Sequence, residues 1–114
     1  MAVVYNIDVS QIVGKIENAT EKGLAMLSSQ ILRDCNYFCK QDQGGLIASS
    51  LMHSRLKEGK LVWQTPYAVR QYYEIRTAYT DKNPNASWRW CDLAKKTFGA
   101  DWVKQAQAIK RLYE

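Results

Sequence analysis

The residues whose types could do chemistry are three thiols and one imidazole: Cys35, Cys39, Cys91 and His53, the only histidine. Three thiolates and an imidazole are a known zinc ligand set, but structural zinc sites ordinarily open with a tighter pair of cysteines than the four-residue step from Cys35 to Cys39. An odd cysteine count cannot pair fully within one chain, and the opening MAVVYNID has neither the basic start nor the apolar run of a secretory signal, so reduced thiols are expected. Buried apolar thiols are the favoured reading, with no metal and no cofactor. His53 falls at a position facing away from the apolar side of an expected strand, where an imidazole is usually a solvated surface group. No glycine-rich phosphate loop, HExxH or GxSxG is present, and no nucleophile stands beside a base. The sequence is read as that of a protein that is not an enzyme.

A second candidate chemistry is base stacking. The stretch TPYAVRQYYE, from Thr65 to Glu74, interleaves Tyr67, Tyr72 and Tyr73 with Arg70, and Arg76 follows closely; rings beside guanidinium groups can hold single-stranded bases. The net charge of +5 raises the same question. The cations are scattered, however, with Lys95, Lys96, Lys104, Lys110 and Arg111 set among acidic residues and no basic arm. A tyrosine that buries its ring and wets its hydroxyl suits a core margin or a protein interface equally well. A solvated surface is favoured, and a basic nucleic-acid-binding accessory protein stands as the alternative function.

The elements that must position these residues follow from periodicity. At 114 residues, with 46% hydrophobic and 24% charged, the chain reads as a single domain, 1–114, with no apolar run near the roughly 18 residues of a membrane span. After a tail at 1–7, Val13, Ile16, Thr20, Leu24, Leu27, Ile31, Cys35 and Phe38 recur at steps of three and four, which predicts a long helix over 8–43. Asp8 and Gln11 would form its capping box, and Gly44 and Gly45 would stop it. After the glycines LIASS reads as a short turn or helical fragment, and the period then changes to two, which predicts a turn and β-hairpin over 46–65, with Glu58–Gly59 at the bend, Leu56 facing Leu61 and Met52 facing Thr65. Thr65 would cap and Pro66 would start a short helix over 66–75. A polar loop follows at 76–86, with Asp81, Asn83, Pro84 and Asn85 as turn formers. Asn85 or Ser87 would cap a C-terminal helical region at 87–114, interrupted near Gly99, whose apolar stripe runs Trp90, Leu93 or Ala94, Phe98, Trp102, Ala106, Ile109 and Tyr113. The fold class is α+β, with the N-terminal and C-terminal helices packed on a small antiparallel hairpin or sheet.

The run KLVWQTPYAVRQYYE followed by NPNASWRWCDLAKKTFGADWVKQAQ resembles the minor capsid protein family of tailed bacteriophages and prophages, related to phage tail-component proteins. The likeness runs from about Gly44 to the C-terminus. Its pattern falls on Gly45, Ser49 or Ser50, Trp63, Thr65, Pro66, Tyr67, Ala68, Tyr72, Tyr73, Asn83, Pro84, Trp90, Asp101 and Trp102. Where that family often has glycine after the tyrosine pair, this chain has Glu74, which is similar to the broader neck and tail-component group. The resemblance implies a non-catalytic virion protein: a neck or head–tail connector subunit, made in the host bacterial cytoplasm and forming a homo-oligomeric ring at the capsid–tail junction. It implies neighbouring neck, portal-adaptor or tail proteins as partners, with possible non-specific contact to packaged DNA and no membrane. It casts Trp63, Thr65, Pro66, Tyr67, Ala68, Tyr72, Tyr73, Asn83, Pro84, Trp90 and Trp102 as structural and inter-subunit contact residues.

Overall fold

The computed structural model describes residues 2–7, 21–41, 45–76, 81 and 83–112. In chain order these form β1 (Ala2–Asn6), α1 (Glu21–Tyr37), α2 (Leu46–His53), a 3-10 turn (Leu56–Glu58), β2 (Lys60–Gln64), α3 (Ala68–Tyr73) and α4 (Trp90–Leu112). The class is α+β, with one two-stranded antiparallel sheet among the described residues.

The sheet is not the expected hairpin. β2 pairs with the N-terminal strand β1 in the register Val3↔Trp63, Val4↔Val62 and Tyr5↔Leu61, extended by Ile7 N–H donating to Gly59 O at 2.8 Å. The tail anticipated at 1–7 thus supplies a strand. Met52 and His53, expected in the first hairpin strand, lie in α2. All that remains of the hairpin is a bridge in which Arg55 and Lys60 exchange backbone hydrogen bonds of 2.7 and 3.0 Å, closed by Gly59 at φ +67° in the left-handed region. LIASSLMH is helical rather than extended because it alternates poorly, and its serines satisfy themselves along the helix, Ser49 Oγ donating to Leu46 O at 2.7 Å and Ser50 Oγ to Ile47 O at 2.6 Å.

The long N-terminal helix is not seen as such. Its described part is α1, and its expected beginning, capping box included, lies outside the described residues. At the other end α1 stops at Tyr37, before the glycine pair. Phe38 N–H and Cys39 N–H turn back three residues to Cys35 O and Asn36 O, tightening the final turn. Gly45, at φ +91°, stands instead at the start of α2. Neither Thr65 nor Pro66 opens α3: both precede it in a turn, Tyr67 occupies the cap position without a side-chain bond, and Ala68 N–H reaches Thr65 O at 3.2 Å.

α4 begins only at Trp90, after Arg89 at φ +48°, so neither Asn85 nor Ser87 is its cap. It also runs unbroken through Gly99, where an interruption was expected. The reason is packing. Trp90, Ala94, Trp102 and Ala106 form a buried stripe against α1, which outweighs the roughly 1 kcal/mol that a helical glycine costs relative to alanine. The core joins that stripe to Leu27, Ile31 and Cys35 of α1 and to Leu61 and Trp63 on the inner face of the sheet.

Candidate functional site

Trp63 sits at the centre of the motif-bearing residues. Its ring is fully buried, and it meets Trp90 edge to face at 5.9 Å between centroids. Tyr72 meets Trp90 at 4.7 Å and Tyr73 at 5.1 Å, both also edge to face. The Trp63 indole N–H donates to Asn36 Oδ1 at 2.9 Å, Asn36 Nδ2 donates to Ser50 Oγ at 3.0 Å, and Ser50 Oγ donates to Ile47 O. One polar chain therefore joins β2, α1 and α2 behind the ring. Trp102 is held similarly, its N–H donating to Asp34 Oδ2 at 2.6 Å while Gln30 occupies the other carboxylate oxygen at 3.1 Å. Trp90 Nε1 is buried with no hydrogen-bond partner among the described residues, so that ring is positioned by packing alone.

The three thiols are all interior. Cys35, Cys39 and Cys91 are buried in the same core cluster that holds Tyr72. Burial pushes the Cys39 and Cys91 thiols and the Tyr72 phenol well above their ordinary values, and it pushes Tyr5 up to about 12. His53 stands apart, exposed on the last turn of α2 rather than on a strand. Among the described residues no group of three or more His, Cys, Asp or Glu side chains is placed to hold a metal ion.

The second cluster is polar, and it closes the end of α1. Asn83 Nδ2 donates to Tyr37 O at 2.9 Å and to Cys39 O at 2.8 Å, and Ser87 N–H donates to Phe38 O at 2.9 Å. Three carbonyls at the helix exit are thereby satisfied by a loop over forty residues away. Asp81 fixes that loop: Gln41 N–H reaches both of its carboxylate oxygens at 3.0 Å, and Asn83 N–H reaches Oδ1 at 2.9 Å. Lys40, also buried, sends its ammonium to Arg76 O at 3.0 Å and to Glu74 O, where the chain leaves α3. Burial lowers the Lys40 pKa, against the pull of Glu74 and Asp81.

The motif residues accordingly divide. Trp63, Ala68, Tyr72, Trp90 and Trp102 are inside, Asn83 is in the clamp, and Thr65 and Pro66 shape the turn before α3. Tyr67 and Tyr73 are 61% and 62% exposed, and Pro84 is exposed in the polar loop. Tyr72, at 6% exposure, is not available to stack a base, so the tyrosine–arginine platform loses its middle ring. Lys40, Asn36 and Asp34 carry no sequence signal that sets them apart, and Asp81 only that of a turn former in the polar loop. Asn83 carries one, because its Oδ1 accepts Asn85 N–H at 3.0 Å in the local turn that an Asn-Pro-Asn run favours.

Fold and site together define a small α+β scaffold: most motif residues lock elements to one another, and large apolar side chains remain on the outside. The chain belongs to the minor capsid protein family, whose model matches residues 3–110, so the likeness extends well upstream of Gly44. No curated protein and no solved structure matches it. Membership makes the chain a structural protein of a bacteriophage, with a place in the virion. No described helix is long and apolar enough to cross a membrane.

Proposed function

We propose that this chain is a neck subunit, a head–tail connector that acts by contact rather than catalysis and repeats as a ring at the capsid–tail junction. The observation that carries the reading is the division of its aromatic and apolar side chains. The core of the described residues is built without Tyr67, Tyr73 and Ile75 around α3 or Leu51 and Met52 on α2, all of which are exposed. A head-to-tail ring needs two different surfaces on each subunit, and these two groups lie on separate elements. Neighbouring neck, portal-adaptor or tail proteins would cover what the ring leaves open. Lys95, Lys96, Lys104 and Arg111, exposed along α4, would offer sequence-independent positive charge to packaged DNA.

A reconstruction of purified particles tests this. The expected result is density for the chain at the single tail-bearing vertex, in a small fixed copy number. Copies spread over the whole capsid shell would overturn the ring while leaving the family assignment intact.

A further inference from the structure

The two edges of the sheet are treated differently by the rest of the fold. Because Ile7 pairs with Gly59, the hydrogen-bonded pairs of the ladder are Val3 with Trp63 and Tyr5 with Leu61. The backbone groups of Lys60, Val62 and Gln64 therefore point away from β1, and each outward N–H has a partner. Lys60 bonds to Arg55, Val62 N–H donates to Ser54 Oγ at 2.9 Å, and Gln64 N–H donates to Ser49 Oγ at 3.1 Å. The serines on and just after α2 thus close the β2 edge. By the same alternation Ala2, Val4 and Asn6 point their backbone groups away from β2, and among the described residues nothing pairs with them. Their side chains are exposed, Val4 by 45%. The strand AVVYN carries no charge, proline or glycine, the devices that usually protect an open edge.

We infer that the outer edge of β1 docks the same strand of a second copy of this chain, forming a four-stranded sheet across a two-fold axis. The closed β2 edge fixes the pairing, since two copies can join their sheets only β1 to β1, and the strand's own uncharged sequence fits a second copy. The strand is self-complementary in the register of greatest overlap, centred on Val4. Val4 then faces its own copy as a hydrogen-bonded pair, Ala2 faces Asn6, and Val3 faces Tyr5, with no like charges opposed. A strand edge alone buries less than a standard interface of about 1,600 Å², so the pair should be weak and concentration-dependent. The contact is isologous and closes on itself, so it does not build a head-to-tail ring, and its test is separate from that of the ring.

Sedimentation velocity from about 1 µM to about 1 mM, the span over which weak association becomes visible, should show monomer passing to dimer. Hydrogen exchange should slow with concentration at Val4 and Asn6, while Val3 and Tyr5 stay protected throughout by their bonds to β2. V4K, which sets two like charges face to face at the axis, should remain monomeric at every concentration. Wild-type protein that stays monomeric over the whole range would overturn the inference, as would a dimer in which Val4 and Asn6 exchange as freely as in the monomer. The exchange measurement uses the unaltered chain, so the result stands even if V4K folds poorly.

Discussion

The aromatic face of the sheet and the polar clamp at the end of α1 do the same job by opposite means. Around Trp63, Tyr72 and Trp90 the elements are held by removing ring surface from water, a driving force proportional to area and indifferent to direction. Around Lys40, Asp81 and Asn83 they are held by a few directed hydrogen bonds to main-chain groups, whose value lies chiefly in leaving no buried polar group unpaired. The contrast teaches where a substitution should hurt. Ring truncation leaves a cavity that the surroundings fill only in part, whereas clamp truncation leaves orphaned carbonyls that water can reach once the loop opens.

The largest effect is expected from Trp63→Ala. It empties a fully buried ring site and strips Asn36 Oδ1 of its donor, and it should cost about 3 to 5 kcal/mol. Urea denaturation followed by circular dichroism measures it, and a midpoint equal to wild type would show that the aromatic face is not what holds the sheet. Trp90→Phe sharpens the comparison. It keeps an aromatic and deletes only an unbonded N–H and some volume, so it should cost well under half of the Trp63→Ala loss.

Alkaline pH should act on the apolar side next. The folded-state pKa values of Cys39 and Cys91 lie above the ordinary 9.0, so the unfolded chain gives up protons that the folded chain keeps. Their contribution is complete below pH 9 and declines as pH rises, by about 1.4 kcal/mol per pH unit for each thiol. Tyr5 and Tyr72 follow the same sign above their ordinary 10.0. Lys40 opposes them, since its lowered pKa means that burying the charged form disfavours folding, and this is relieved as pH climbs toward 10.5. Stability should therefore fall from about pH 9 upward, and C91A should make that fall shallower. A urea midpoint that holds level to about pH 10.5 would contradict the burial of the thiols.

What the sequence disclosed follows the same division. The stripe through Leu27, Ile31 and Cys35 and the stripe from Trp90 to Trp102 were legible because burial depends on periodicity, and periodicity is local. The interior place of the thiols followed from the apolar character of reduced cysteine, and a short helix near 66–75 was legible too, although its start at Ala68 was not. The partner of β2 was not, because Lys60–Gln64 looks the same whether it pairs with the segment just before it or with Ala2–Asn6. The choice was made by Ser49 and Ser54, whose hydroxyls occupy the edge that a hairpin would have used. The clamp was hidden too. Lys40 stands in CKQD with nothing to mark it, and α1 ends at Tyr37 because of Asn83, far along the chain, not because of a local stop signal. Asn83 itself was noticed as a motif residue and turn former, and only its distant targets were invisible.

In the clamp, Asn83→Ala removes two hydrogen bonds to the end of α1 and should cost about 1 to 3 kcal/mol, less than Trp63→Ala. Exchange should also speed locally at Gln41, whose N–H depends on the Asp81 loop that Asn83 helps to seat. A loss equal to that of Trp63→Ala would mean that the clamp, not the aromatic face, is the principal tie between the two halves of the chain.

The smallest effect on folding is expected at Tyr73, and there the contrast becomes one between stability and contact. Tyr73 is adjacent to Tyr72 in sequence and touches its ring, but at 62% exposure it keeps most of its surface in water in the isolated chain. Tyr73→Ser should therefore move the denaturation midpoint by no more than the equivalent of about 0.5 kcal/mol. In the proposed ring the same side chain belongs to a surface that a neighbour covers, where tyrosine is among the residues most often enriched. The Tyr73→Ser protein should thus fold like wild type and yet be recovered in fewer copies from purified particles. A folding loss on the scale of Trp63→Ala would make Tyr73 a core residue, and normal stability with normal incorporation would remove it from the contact surface.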